Sequence, residues 1–196
     1  MLLQVPWPFP GSCSCTEGGE GLKLSCSQIN STKGLSKLDA ETLAKVREIV
    51  IRDSWGLLCL DLRHLVKLPA LKRLEVTRAG LSQLFCDTVK SDRYSLSELH
   101  TFEVTFTKLR SIEGAELPEM QNLKHINLSN NKLENLSQNA FIDLDHLESL
   151  DLSNNLLDHN LKREAFQGIS VNLKELDISG ITYMCQFQNS QTLLHR

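Results

Sequence analysis

The stretches LKHINLSNNKL (residues 123–133) and LESLDLSNNLL (residues 147–157) share one spacing of apolar residues and one pair of asparagines. In each, an apolar residue is followed by two variable residues, an apolar residue, one variable residue and a third apolar residue. This central alternation is typical of a short strand with one buried face. Because the stretches begin 24 residues apart (147 minus 123), they indicate a repeated structural unit.

The same pattern occurs six times, and each occurrence begins one coil of the predicted repeat. The first to sixth coils begin at Val46, Leu71, Leu99, Leu123, Leu147 and Leu173. The inner apolar pairs, which we predict to be buried, are Ile49 and Ile51, Leu74 and Val76, Phe102 and Val104, Ile126 and Leu128, Leu150 and Leu152, and Leu176 and Ile178. One coil cannot bury its apolar face alone, so stacked coils share a core and align their strands in a parallel sheet.

This pattern resembles the leucine-rich-repeat family from Val46 to about Ile181. The resemblance implies an α/β right-handed solenoid, a horseshoe with a parallel concave sheet and a mostly irregular convex side. In that family an asparagine in the turn after each strand bonds neighbouring coils, and Asn131 and Asn155 match this position. The other coils depart from it, with Ser54, Ala79, Thr107 and Ile181 there. Since an alanine side chain forms no hydrogen bond, we expect the second coil to use backbone or water instead.

Amphipathic helices are the alternative explanation for these apolar stripes, but the period of two residues inside each unit disfavours them. Only Asp39 to Val50 has a plausible helical pattern. Phe141 and Phe166 match positions at which the resemblance implies stacked phenylalanines along the core. Leu117 and Val89 fill the equivalent space in other coils.

Three cysteines upstream of the repeats resemble the N-terminal cap of extracellular leucine-rich-repeat proteins. Such caps usually have four cysteines, bridged first to third and second to fourth. Cys13, Cys15 and Cys26 match the last three, whereas Phe9 stands in place of the first. The resemblance therefore implies a Cys13–Cys26 disulfide and leaves Cys15 without a partner. A zinc site is the alternative, but no histidine lies nearby, and cysteine frameworks of this kind belong to oxidising compartments.

The remaining cysteines are less informative. Cys59 and Cys86 fall in adjacent coils and can pair, although we expect them to be core thiols in place of leucine. Cys185 follows the last coil, where the motif of a C-terminal cap is missing, and the N-terminus has no signal-peptide core. We therefore expect a fragment or an isoform. The predicted organisation is a leader remnant or disordered N-terminus (1–12), the cap (13–45), six repeats (46–184) and a truncated tail (185–196).

Composition and motifs argue against several functions. The net charge is −3 with no basic stripe, which gives little support to nucleic-acid binding. No apolar run approaches the roughly 20 residues that cross a bilayer. The histidines have no metal-ligand spacing and no phosphate-binding loop occurs. Asp143, Asp145 and His146 are close in sequence, but they fall on the convex side, where a solvated cluster is the simpler interpretation. We expect no enzyme, no cofactor and no metal.

The outer face of the sheet is the predicted binding surface. The residues that we expect to contact a ligand are Arg52, Arg73, Glu75, Glu103, Thr105, Phe106, His125 and Asp151. Outward residues are mainly basic in the first two coils and mainly acidic in the last two. Such a gradient can orient a charged partner, although an ordinary solvated surface is the alternative. Phe106 is the sharper feature, because an exposed aromatic among polar neighbours is a typical binding anchor. Its alternative role is to cover the gap beside Thr107.

Asparagine sequons add a clue to the compartment. Asn30 and Asn135 lie off the strands and are the better glycosylation candidates, whereas the sequon at Asn127 follows from the repeat pattern itself. Together these features predict a non-catalytic extracellular module that binds a protein ligand, in adhesion or as part of a receptor. An intracellular scaffold or adaptor, or an enzyme-inhibitor module, uses the same surface and remains the alternative.

Overall fold

The computed structural model describes residues 2–3, 12–86, 94–112, 117–138, 140–157, 163–166, 169 and 172–181. Its strands are β1 (Leu2–Leu3), β2 (Ser12–Gly18), β3 (Gly21–Ser27), β4 (Val46–Ser54), β5 (Arg73–Ala79), β6 (Thr101–Thr105), β7 (Ser111–Ile112), β8 (His125–Asn127), β9 (Asn135–Leu136), β10 (Ser149–Asp151) and β11 (Glu175–Asp177). The expected tail, with Cys185, lies outside these residues. So do Phe9 and most of the expected N-terminal leader.

Nine strands form one sheet in the order β1-β2-β3-β4-β5-β6-β8-β10-β11. The β1–β2 and β2–β3 pairs are antiparallel, and every later pair is parallel. Equivalent apolar residues of successive coils lie opposite one another, as the repeat predicted: Ile49, Leu74, Phe102, Ile126, Leu150 and Leu176. The first five are buried, whereas Leu176, on the last strand of the sheet, is 39% exposed. The chain is thus a leucine-rich-repeat solenoid with a parallel concave sheet.

The side opposite the sheet has little regular structure among the described residues. It contains the two-stranded β7–β9 ladder. Its helices are short: 3-10 helices at Thr32–Lys37 and Arg163–Phe166, α1 (Ala40–Lys45) and α2 (Leu62–Leu65). Turns of this kind fill the return path of each coil.

The predicted helix over Asp39 to Val50 is only half right. The Asp39 carboxylate accepts a hydrogen bond from the Thr42 N–H at 2.8 Å and caps α1, which ends at Lys45. From Val46 onward the chain is strand β4. The β-branched residues in this stretch favour a strand, and β3 and β5 supply hydrogen-bond partners on both sides. Sheet pairing therefore overrides the helical pattern.

Aromatic rings fill the core between the sheet and the convex side. Phe141 is fully buried and stacks with Phe166 at 6.5 Å between ring centroids, as the resemblance implied. Phe85 and Phe102 form a second stacked pair at the same separation. Leu117 is partly buried against this core. Val89 lies outside the described residues.

The cap continues the sheet instead of forming a separate layer. Its hairpin of β2 and β3 places Cys13 opposite Cys26, and β3 then pairs in parallel with the first repeat strand. A second contact joins cap and repeats, since the buried Thr32 hydroxyl lies 3.2 Å from Nδ1 of His64. Burial lowers the pKa of His64, although the nearby Asp61 carboxylate opposes this shift. No helix within the described segments has the length and apolarity to cross a membrane.

Candidate functional site

Strand register arranges the outward side chains of the sheet in rows, with one residue per coil. The first row comprises Glu48, Arg73, Thr101, His125, Ser149 and Glu175. The second row comprises Val50, Glu75, Glu103, Asn127, Asp151 and Asp177. The third row comprises Arg52, Thr77 and Thr105. Seven of the eight predicted ligand-binding residues fall in these rows, and Phe106 follows directly after Thr105.

Two arginines and two glutamates connect the rows in the first three coils. Arg52 Nη2 donates to Glu75 Oε1 at 2.9 Å, and Arg73 Nη2 lies 3.3 Å from Glu75 and 2.8 Å from Glu103. Burial alone would raise the pKa of Glu75, but Arg52 and Arg73 outweigh it and hold this pKa below its usual range. The network holds the Arg52 and Arg73 side chains against Glu75 and Glu103 on the outer face of the sheet.

The basic end of the expected charge gradient is largely neutralised. Arg78 pairs with Asp53 at 2.6 Å, and Lys72 pairs with Glu20 of the cap at 2.9 Å. Arg52 and Arg73 are also paired, so four of the five outward basic residues of the first two coils form ion pairs: Arg52, Lys72, Arg73 and Arg78. The fifth, Arg47, donates to the Ala44 carbonyl at 2.9 Å. The charge count made from the sequence did not include the ion pairs with Glu20 of the cap and Glu103 of the third coil.

The acidic end keeps its charge. Asp151 and Asp177 accept hydrogen bonds from the Ser153 and Ser179 N–H groups, each two residues ahead. The Ser179 N–H lowers the pKa of Asp177, which is therefore ionised at neutral pH. Glu148 differs, since Lys174 and Lys124 flank it. The second row therefore presents carboxylates to solvent toward the end of the sheet.

Phe106 is an unusual residue for its backbone position. Its φ is +54°, in the left-handed region, and 54% of the residue is exposed. The equivalent residues of the other coils share a positive φ: Asp53, Arg78, Asn130, Asn154 and Gly180. Asparagine, aspartate and glycine tolerate this region, whereas a bulky side chain there costs about 1 kcal/mol. The turn is common to all six coils, and the register that identified Phe106 as outward did not reveal its positive φ.

The residue that follows each of these positive-φ positions lies in the turn where neighbouring coils meet. Asn131 is buried, its Oδ1 accepts from the Thr107 N–H and hydroxyl, and its Nδ2 donates to the Val104 and Leu128 carbonyls. Asn155 accepts from the Leu133 N–H at 3.1 Å. These amides satisfy backbone groups that no strand pairing serves.

Earlier coils use other groups at the same turn. The Ser54 hydroxyl accepts from the Ile29 N–H at 3.3 Å and donates to the Arg52 carbonyl at 2.9 Å. At the second coil, where Ala79 has no polar group, the Gly80 N–H donates to the Ser54 carbonyl at 3.2 Å. Backbone therefore replaces the missing side chain, one of the two expected solutions. Ile181 is buried at the sixth turn.

Two of the predicted residues make modest contacts. The Thr105 hydroxyl donates to that of Thr77 at 3.1 Å, and His125 is exposed in the first row. The neighbouring His100 Nδ1 lies 2.6 Å from the Glu98 carbonyl oxygen. The centre of the sheet thus presents hydroxyl, imidazole and carboxylate groups beside the ring of Phe106.

Two disulfides stabilise the N-terminal region. Cys13 and Cys26 are bridged, as the resemblance implied. Cys59 and Cys86 also form a bridge, so the expectation that they are core thiols is wrong. This second bridge joins the loops that follow the first two repeat strands. Cys15 is a buried free thiol, and burial raises its pKa.

Groups that could perform chemistry are dispersed. Among the described segments, no three histidine, cysteine or acidic side chains come together to hold a metal ion. Asp143, Asp145 and His146 are exposed between the Phe141 core position and the fifth coil. The sequons differ in exposure: Asn30 and Asn135 are exposed, whereas Asn127 lies in the second row and accepts from the Ser129 N–H. The expectation that Asn135 lies off the strands is wrong, because it begins β9, which pairs with β7 outside the main sheet.

Comparison with known proteins agrees with the fold. A family model described as leucine-rich repeat matches residues 97–157. No curated protein matches the sequence. A chain of the Toll–Spatzle complex from Drosophila is 18% identical with a TM-score of 0.55, over 82% of this chain and 23% of that chain. A chain of the TLR13–ssRNA13 complex is 17% identical with a TM-score of 0.48, over 82% and 28%. This chain thus spans less than a third of either, and the first likeness concerns the fold alone.

Proposed function

The chain is a leucine-rich-repeat protein with a cysteine-containing N-terminal cap, and from this premise we propose that it is an extracellular module that binds a protein ligand without catalysis. The exposed and strained Phe106 supports this proposal most directly. Its ring stands at the edge of the sheet in the third of six coils, where hot spots of an interface concentrate. A turn that needed only stability would carry asparagine, as the fourth and fifth coils do.

Charges on the sheet favour a protein over a nucleic acid as the ligand. Glu75, Glu103, Asp151 and Asp177 all lie in the second row, and this acidic row disfavours phosphate groups. The Arg52, Arg73, Glu75 and Glu103 network is already ordered before a ligand arrives. An aromatic anchor beside preorganised charged groups is a common composition of protein interfaces.

Two substitutions at Phe106 test the proposal. A screen against purified protein ectodomains supplies the ligand, and titration calorimetry compares the variants. Phe106→Ala should weaken binding by about 2 kcal/mol, on the order of 30-fold. Phe106→Asn should weaken binding equally while raising the melting temperature, because asparagine suits the left-handed turn.

Asp143→Asn provides the control on the convex side. Asp143 also has a positive φ, of +65°, which asparagine tolerates. This variant should keep both affinity and melting temperature. Normal binding by both Phe106 variants, together with loss of binding by Asp143→Asn, would move the site to the convex side.

The alternative of an intracellular scaffold predicts a different thiol state. Disulfides persist in secretory compartments and are reduced in the cytosol. Peptide mapping without reduction should find Cys13 linked to Cys26 and Cys59 linked to Cys86 in protein isolated from its native source. Alkylation of all four thiols there would favour the scaffold.

A further inference from the structure

Two exposed apolar residues lie away from the proposed binding surface. Trp55 is 58% exposed and Leu58 is 59% exposed, both in the loop that follows β4. Neither belongs to a row of the sheet. Exposed apolar side chains that form a contiguous patch mark a surface to which another group binds.

The cap brings a glycosylation sequon against this loop. The Ile29 N–H donates to the Ser54 hydroxyl at 3.3 Å, so the segment before Asn30 runs beside the turn that contains Trp55. A Cβ atom added at Gly56 would lie 3.2 Å from Cβ of Asn30. Asn30 itself is exposed. Because residue 56 is glycine, the backbone of this loop can pack closely against Asn30.

The backbone around the sequon is fixed. Thr32, the third residue of the sequon, is 1% exposed, and its hydroxyl lies 3.2 Å from Nδ1 of His64 and 3.4 Å from the Asp61 nitrogen. Ser31 caps the following 3-10 helix through the Lys33 N–H. A group attached to Asn30 is therefore tethered to a fixed backbone next to Gly56, in the same loop as Trp55, which raises its effective concentration near the indole.

We propose that Asn30 carries an N-linked glycan whose first sugars pack over Trp55 and Leu58. The proposal rests on the extracellular location proposed above. One face of a pyranose ring is lined by C–H groups, which suit the electron-rich face of an indole. Its hydroxyl groups stay in water and make the covered patch polar on the outside. The glycan is thus the occupant of this surface.

The covalent step requires a lipid-linked oligosaccharyl diphosphate as the donor. A bond forms between Nδ2 of Asn30 and C1 of the first N-acetylglucosamine, and the bond between C1 and the phosphate oxygen breaks. The amide loses one proton and the lipid diphosphate leaves with the electron pair. Because the Thr32 hydroxyl is buried in the folded protein, transfer takes place before the cap has folded.

Tryptophan fluorescence tests the contact directly. The sequence contains two tryptophans, Trp7 and Trp55, so Trp7→Phe leaves the loop residue as the single probe. In protein from a glycosylating secretory host, removal of the sequon by Asn30→Gln should increase quenching of this fluorescence by acrylamide. Asn135→Gln, which removes the other exposed sequon, should leave quenching unchanged.

Thermal unfolding separates the contact from a general effect of glycosylation. With Trp55 present, Asn30→Gln should lower the melting temperature by about 2–4 °C. In a Trp55→Ala background the same substitution should have no effect, because the contact is already lost. Equal quenching with and without the glycan, or an equal temperature shift in both backgrounds, would overturn the proposal.

Mass spectrometry of the same protein distinguishes the two proposals. An unmodified Asn30 with a glycosylated Asn135 would overturn the contact and leave the extracellular module standing. Unmodified asparagines at both sites in the native protein would count against both. Weak ligand binding by the Phe106 variants would support the proposed function and would not test the glycan contact.

Discussion

The first two coils and the fourth and fifth coils solve the same structural problem with different chemistry. Near the cap, neighbouring turns are joined by Ser54, by a backbone bond to Gly80 and by the Cys59–Cys86 disulfide. Farther along, Asn131 and Asn155 bridge the turns with buried amides. A solenoid is stabilised by interfaces between neighbours, so each interface can be satisfied separately. The repeat therefore fixes where coils meet but not which groups join them.

Removing the Cys59–Cys86 disulfide should lower the free energy of unfolding more than any other change proposed here. The bridge closes a loop across 27 residues of sequence, and its loss in a Cys59→Ser, Cys86→Ser double variant should cost about 3 kcal/mol. Urea unfolding followed by Trp55 fluorescence measures the change. Cys15→Ala, which removes a thiol but no bridge, should be much less destabilising. Equal unfolding midpoints for the double variant and the wild type would mean that the bridge does not hold the first coils together.

Replacing the buried amide of Asn131 should destabilise the protein less than removing the disulfide does. Asn131→Ala leaves the Thr107 N–H and two carbonyls without their buried partner and should cost about 2 kcal/mol. Ser54→Ala removes a single hydroxyl at the equivalent turn and should cost about 1 kcal/mol. Thermal and urea unfolding of both variants test this order. A larger loss for Ser54→Ala would show that the two regions do not differ as described.

Glu75→Gln should have the smallest effect, below about 1 kcal/mol at neutral pH. Burial raises the pKa of Glu75, but Arg52 and Arg73 outweigh it and hold this pKa below its usual value of 4.5. A carboxyl group whose pKa is lowered by folding stabilises above its unfolded pKa, and this contribution is lost as pH falls through the folded pKa. The difference in unfolding free energy between wild type and variant should therefore shrink below about pH 4.5.

Urea titrations at several pH values measure this difference. Glu98→Gln, at an exposed carboxyl away from the arginines, serves as the control. A difference that stays constant between neutral pH and pH 3 would show that the ion pairs do not lower the pKa of Glu75.

The parallel register was predictable because the apolar spacing is internal to each coil. Ile126 and Leu150 recur at the same place, and a strand with one buried face has only one way to place them. The left-handed φ of Phe106 was not predictable in the same way. Phenylalanine is rare in that region, and only the asparagines at equivalent turns gave a signal.

Contacts between coils were harder to predict because the coils differ in length. Leu60 lies opposite Phe85, which places Cys59 and Cys86 diagonally and not at equivalent positions. An alignment of the repeats therefore does not reveal the bridge. The ion pair between Arg52 and Glu75 joins the third row to the second. The sequence does not give the direction in which these long side chains point, so it did not predict this pair. Trp55 was missed because it follows the strand and belongs to no apolar pattern.

The cap hairpin has a second possible register, and this bears on how the protein acquires its bridges. Cys13 and Cys15 are both buried on one face of β2. A slip of β2 by two residues against β3 would place Cys15 opposite Cys26 and leave the alternation of faces unchanged.

The turn permits this slip, because its sequence Gly18-Gly19-Glu20-Gly21 suits a two-residue loop in either register. During oxidative folding the Cys15 thiolate can attack the Cys13–Cys26 bridge, and the reverse exchange restores it. In the finished fold, burial raises the pKa of Cys15 and leaves little thiolate for attack. The free cysteine is thus an exchange partner while the cap is open and an inert thiol once it has closed.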